Sequence, residues 1–140
     1  MQRLFRKHAP DWILESYLEG RKALDRIPES RPNAVLMDLV MPDISGVDCT
    51  KILKTQFPRL PIVILSGHVE TGILLRSMMA GACGCFYKPA TAAEIVLGLK
   101  KAMAGTMAFC PRAEKSMLAC FSILGKTSEA GNCRDGKETY

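Results

Sequence analysis

The sequence predicts an α/β fold, a doubly wound parallel sheet covered by helices on both faces. Three observations lead there. Short continuous apolar runs occur at residues 34–37, 61–65 and 84–87. Segments of helical periodicity lie between them. Pro or Gly stands near most of the junctions. Strands alternating with helices give a parallel sheet, and strands buried on both faces read as unbroken apolar runs.

The elements follow in order. Met1, Leu4 and Phe5 share one helical face, so residues 1–9 read as the end of a helix stopped by Pro10. Trp12, Ile13 and Leu14 open a short strand to about Tyr17. Residues 19–27 form a helix with Ala23, Leu24 and Ile27 inward, ended by Pro28. Ala34, Val35, Leu36 and Met37 form a buried strand, and residues 41–46 a loop with Pro, Asp and Gly. A helix over 47–57 carries Ile52, Leu53 and Phe57, and the second buried strand is PIVIL. Residues 69–80 form a helix ending at Gly81, with Met78 facing the core and Met79 a partner. A short strand over 84–87 follows, and Thr91 caps a last helix to about Ala104 with Ile95, Val96, Leu99 and Met103 inward. Residues 111–124 suit one more helix. The final GKTSEAGNCRDGKETY is polar and aperiodic, which predicts no fixed structure.

Composition narrows the function classes. The chain has 140 residues, 48% apolar and 24% charged, suiting one ordinary globular domain. No apolar run approaches the roughly 18 residues of a membrane span. The N-terminus has no long apolar stretch after its basic residues, so a cytoplasmic location is expected. The cysteines at 49, 83, 85, 110, 120 and 133 include no C-x-x-C pair, so reduced thiols are expected rather than a disulfide or zinc framework. Net charge is +5, but the basic residues are scattered among acidic ones, which argues against nucleic-acid binding.

Ligands of such sheets bind beyond the carboxyl ends of the strands. That rule singles out Asp38, Ser66 and Lys88, each just after an apolar run. Taken alone, Asp38 fits a nucleophile or a loop aspartate equally well, Ser66 fits an ordinary strand end better, and Lys88 a solvated surface lysine better. Together they put a carboxylate, a hydroxyl and an ammonium at three successive strand ends, the parts needed to receive and hold a phosphoryl group.

The segments MDLVMPDISG, VILSGH and AGACGCFYKP occur in the order and spacing of CheY-like response-regulator receivers, and this chain resembles that family over about residues 1–104. RPNAVLMDLVMPDISG is most similar to the LuxR/NarL-type regulators. The resemblance implies a flavodoxin-like sheet of order 2-1-3-4-5. It implies that Asp38 is the phosphoacceptor, receiving a phosphoryl group from a sensor histidine kinase in a phosphorelay. Ser66 is then the switch hydroxyl, Lys88 the phosphoryl contact, and the Val40 carbonyl together with Asp38 a ligand of Mg²⁺. Met41, Pro42 and Gly46 shape the adjoining loop, and the Lys88–Pro89 peptide matches one usually cis. The family is regulatory rather than a turnover enzyme, and a receiver dimer or an output protein is the partner class expected.

Three departures accompany the resemblance. The family's first strand and the acidic pair after it, which hold Mg²⁺, have no counterpart here, and Asp11 sits before a strand rather than after one. A misplaced start or a truncation is the preferred explanation over a degenerate remnant. The switch aromatic is replaced by Cys85, expected to pack in the core. GTMAFCPRAEKSMLACF resembles the beginning of a linker, with no DNA-reading helix after it, so no direct DNA binding is expected. The organisation predicted is a receiver over 1–104, a linker or extra helix over 105–124 and a disordered tail over 125–140. His68, two residues after Ser66, fits a phosphoryl contact from the loop, with a solvated loop histidine as the simpler reading. Two other functions fit parts of the pattern. One is an interaction module that works without phosphate. The other is a haloacid-dehalogenase-type phosphatase, which requires a second Asp where this chain has Val40.

Overall fold

Short apolar strands can bury both faces only if helices cover them, and that is how the chain is built. A computed structural model describes residues 2–67 and 70–138, with side chains through residue 123. The order is α1 (Gln2–His8), α2 (Gly20–Ser30), β1 (Val35–Asp38), α3 (Gly46–Gln56), β2 (Ile62–Ser66), α4 (Thr71–Met79), β3 (Gly84–Tyr87), α5 (Ala92–Met103), β4 (Ala108–Phe109) and α6 (Pro111–Glu138). The strands form one parallel four-stranded sheet of order β1-β2-β3-β4.

Alternation along β2 divides the core. Ile62 and Ile64 pack with Met37, Leu53, Leu74, Cys85 and Tyr87 on one face. Val63 and Leu65 pack with Phe5, Phe86, Ile95 and Leu99 on the other. Successive strand residues point to opposite sides, so one run of apolar residues supplies both cores. Each fully buried Leu or Ile contributes about 1.5–3 kcal/mol. Thr91 caps α5 through a reciprocal pair: its hydroxyl accepts from the Glu94 N–H at 3.2 Å, and the Glu94 carboxylate accepts from the Thr91 N–H at 2.8 Å.

Several expectations are corrected. The strand expected at 12–17 is absent: residues 12–17 have no regular structure, and Ile13 and Leu18 lie exposed. A strand needs a neighbour to complete its ladder, and among the described residues none lies beside this segment. Pro28 does not end α2, which continues to Ser30. A proline this close to a helix end removes a single late hydrogen bond, and the Arg31 N–H still reaches the Ile27 carbonyl at 2.9 Å. Of the first helix's apolar pair, Phe5 is buried but Leu4 points outward. On α5, Ala102 takes the inner position and Met103 is partly exposed. The fourth helix spans Thr71–Met79, and Val69, where it was expected to begin, lies outside the described residues.

The C-terminal region differs most. The segment expected to be a linker or an extra helix begins with β4, which extends the sheet beside β3, and continues into the expected helix at Pro111 as α6. The Ala108 N–H reaches the Cys83 carbonyl and the Cys110 N–H the Cys85 carbonyl, both at 3.0 Å. Gly84 permits the approach, since a Cβ there would sit 2.1 Å from the Ala108 carbonyl oxygen. Helix α6 then runs through residues expected to lack structure. Extending an existing helix is far easier than nucleating one, and the anchored first turns of α6 supply the nucleus. Among the described residues, no helix is long and apolar enough to cross a membrane.

Candidate functional site

Strand β1 carries Asp38 at its carboxyl end, and the register places Asp38 beside Leu65 and Ser66 beside Tyr87. Neighbouring strands lie about 4.8 Å apart, so three strand ends share one rim. The Lys88 N–H donates to the Ser66 carbonyl at 2.7 Å, fixing the chain beyond β3 against the end of β2. From there the Lys88 side chain reaches back across β2, and its Nζ lies 2.7 Å from Asp38 Oδ2. Both side chains remain partly in solvent, 44% exposed for Lys88 and 40% for Asp38. Ser66 is buried between the two flanking strands. The Lys88–Pro89 peptide is cis.

The second Asp38 oxygen is also engaged. Oδ1 accepts from the Val40 N–H at 3.1 Å, so Val40 meets Asp38 through its amide. The loop then closes tightly: the Gly46 N–H donates to the Leu39 carbonyl at 3.1 Å, and a Cβ on Gly46 would lie 2.1 Å from the Asp38 carbonyl oxygen. Ser45 starts α3 by accepting from the Asp48 N–H at 3.1 Å.

One residue of this loop escaped the reading of the sequence. The Asp43 carboxylate accepts from the N–H groups of Gly20 at 3.0 Å and Arg21 at 2.8 Å, binding the start of α2 to the site loop. The Arg21 N–H, with help from Gly20, holds the Asp43 carboxyl below its ordinary range, against a smaller opposing effect of burial. An Asp in a Pro-Asp-x-Ser-Gly loop is a general turn signal. Its partner, the unsatisfied helix start at 20–21, is remote in sequence, so no local pattern pairs the two.

Mg²⁺ takes near-octahedral oxygen ligands, commonly with one or two carboxylates. Here Asp38 is a lone carboxylate with one oxygen on an ammonium and the other on an amide. Among the described residues no group of three His, Cys, Asp or Glu side chains is placed to hold a metal. These residues do not fit a resident Mg²⁺. What the arrangement offers is a half-exposed carboxylate with a cation already in contact. His68 lies outside the described residues. Cys85, in place of the family aromatic, is buried in the core, and burial pushes its thiol up to about 12.

A family model described as the response regulator receiver domain matches residues 1–100. The transcriptional activator protein ExaE of Pseudomonas putida is 34% identical over 115 residues, 82% of this chain and 52% of that protein. The chain thus spans about half the length of the curated relatives it matches. A solved two-component response regulator of the LuxR family from Aurantimonas sp. SI85-9A1 superposes with a TM-score of 0.68 at 26% identity, covering 72% of each chain. A CheY-like receiver domain protein from Methanospirillum hungatei JF-1 superposes at 0.69 with 17% identity over 74% of this chain and 82% of that one, a likeness of fold.

Proposed function

The chain belongs to the response regulator receiver family, and from that premise we propose that it accepts a phosphoryl group on Asp38 from a sensor histidine kinase. A carboxylate oxygen of Asp38 attacks the phosphorus of a phosphohistidine. An O–P bond forms as the N–P bond breaks, and the imidazole nitrogen keeps the electron pair and takes up a proton. The product is an acyl phosphate. The observation that carries this reading is the 2.7 Å contact between Lys88 Nζ and Asp38 Oδ2. It supports a role in which the ammonium follows the incoming negative charge. Ser66, buried at the end of the strand between those that carry Asp38 and precede Lys88, is the switch hydroxyl of this proposal. A receiver dimer or an output protein completes the proposed signalling role, which is regulatory and has no turnover of its own.

The test is incubation of the folded chain with acetyl phosphate, followed by intact-mass and peptide-mass analysis. Phosphate on Asp38, lost in Asp38→Asn, is the expected outcome. A chain that is folded by circular dichroism yet gains no phosphate overturns the proposal. That second result favours an interaction module that works without phosphate, a reading supported by the poor fit of the donor set to Mg²⁺.

A further inference from the structure

Strand β1 stands at an open edge of the sheet. Its one partner is β2, so among the described residues nothing pairs with its other side. The Val35 N–H points inward and reaches the Pro61 carbonyl at 2.9 Å. Successive strand residues turn their amides to opposite edges, so the N–H and carbonyl of Leu36 face outward. Such an edge is ordinarily guarded by charges, proline or a bulge. Val35, Leu36 and Met37 carry none of these, and their pairing with β2 runs without a break. Leu36 is half-buried, whereas the whole of β2 is buried.

A second unsatisfied element lies on the same side of the molecule. Trp12 packs into the core cluster that holds Ala34 and Leu36. The Gly20 N–H is bound to Asp43, in the loop beyond β1. The stretch between them passes around the open edge without regular structure and without bonding to β1. Trp12, Ile13 and Tyr17 are residues that favour strands. The apolar side chains of this stretch lack cover: Ile13 is 94% exposed and Leu18 90%.

We infer that two copies of the chain exchange these segments, residues 12–18 of each adding as a strand to the β1 edge of the other. The edge lacks a strand and the segment lacks an edge. Both are present on one chain, so a two-fold axis satisfies two edges and two segments at once and closes the assembly. Charge favours the same match. Residues 11–19 carry Asp11, Glu15 and Glu19 and no cation. Helix α1, whose Phe5 packs into the cluster with Leu36, carries Arg3, Arg6 and Lys7 and no carboxylate. The segment of one copy therefore brings acidic groups to a basic helix of the other. The exchange is independent of what Asp38 accepts.

Sedimentation equilibrium of the full chain, from micromolar to millimolar concentration, tests it together with amide exchange read by NMR. A species of twice 15.4 kDa is expected, with no growth beyond it. Ile13→Lys with Leu18→Lys alters two side chains exposed in the single copy, so the fold is retained by circular dichroism while self-association weakens about tenfold or more. The Leu36 amide is expected to exchange about tenfold more slowly in the parent dimer than in the double variant as a monomer. The Met37 amide, which faces β2, is protected in both. A parent chain that stays monomeric at millimolar concentration overturns the exchange and leaves the edge to a strand of another protein. A parent dimer with an unprotected Leu36 amide, or a double variant that associates as the parent does, overturns it in favour of a contact elsewhere. Growth beyond the dimer overturns the reciprocal closure.

Discussion

Lys88 Nζ lies 2.7 Å from Asp38 Oδ2, although the strand carrying Ser66 separates the two backbones. The ammonium therefore reaches across a neighbouring strand to touch the carboxylate. Because both groups are partly exposed, solvent screens the pair. Lys88→Met is expected to change stability by less than about 1 kcal/mol in a denaturant titration. In the same variant, phosphate incorporation from acetyl phosphate falls. A large loss of stability with unchanged labelling would make Lys88 a structural residue.

Gly46 lies against the main chain of the site strand. A Cβ there would stand 2.1 Å from the Asp38 carbonyl oxygen and 2.8 Å from Leu39 Cα, and backbone yields little. Gly46→Ala is expected to destabilise the fold by about 1–3 kcal/mol. Gly67→Ala is the control, since nothing lies within 4 Å of a Cβ at that position. It is expected to stay within about 0.5 kcal/mol of the parent. Chemical denaturation of both variants checks the difference.

Asp43 makes stability depend on pH. Its carboxyl is held below the ordinary value of 3.8 by the Arg21 and Gly20 amides. A depressed folded-state pKa stabilises the fold above the unfolded value and loses that contribution as pH falls through the folded value. The melting temperature of Asp43→Ala is therefore expected to lie below the parent's near neutral pH. The two curves converge on acidification below 3.8. Parallel curves down to the acid limit would remove Asp43 from the account.

The Cys85 thiol is buried, and its pKa is pushed up to about 12, chiefly by desolvation. Only the thiolate is reactive, so Cys85 is expected to resist iodoacetamide at neutral pH. Among the described cysteines, Cys83 and Cys110, which are less buried, label before Cys85. Peptide mapping after timed alkylation gives the order.

Thr91 and Glu94 satisfy the first orphan amides of α5 reciprocally. Thr91→Ala is expected to cost about 1 kcal/mol, and Thr91→Ser much less. Thermal melts of the two variants check this. Equal losses would assign the effect to the lost methyl rather than the cap.

The three core strands and the residues at their ends were legible because each is a local pattern. An apolar run followed at once by Asp38, Ser66 or Lys88 needs only the period of a strand and the rule that sites lie at strand ends. The cap at Thr91 was legible for the same reason, since its partner is three residues away. The segment at 12–17 shows the limit of local patterns. Trp12, Ile13 and Leu14 have the composition of a strand, but strand formation depends on a neighbour, and the sheet presents none beside them.

The sequence by itself determined the α/β class, the three strand-end residues and the helix cap, because these follow from spacing along the chain. The tertiary structure alone decided the partners of Asp43, the addition of β4 to the edge of β3, and the seat of α6 on Tyr87. In each of these cases the contact joins groups far apart in sequence. Its free energy depends on which surfaces the folded sheet leaves open, a quantity that no local pattern of residues contains.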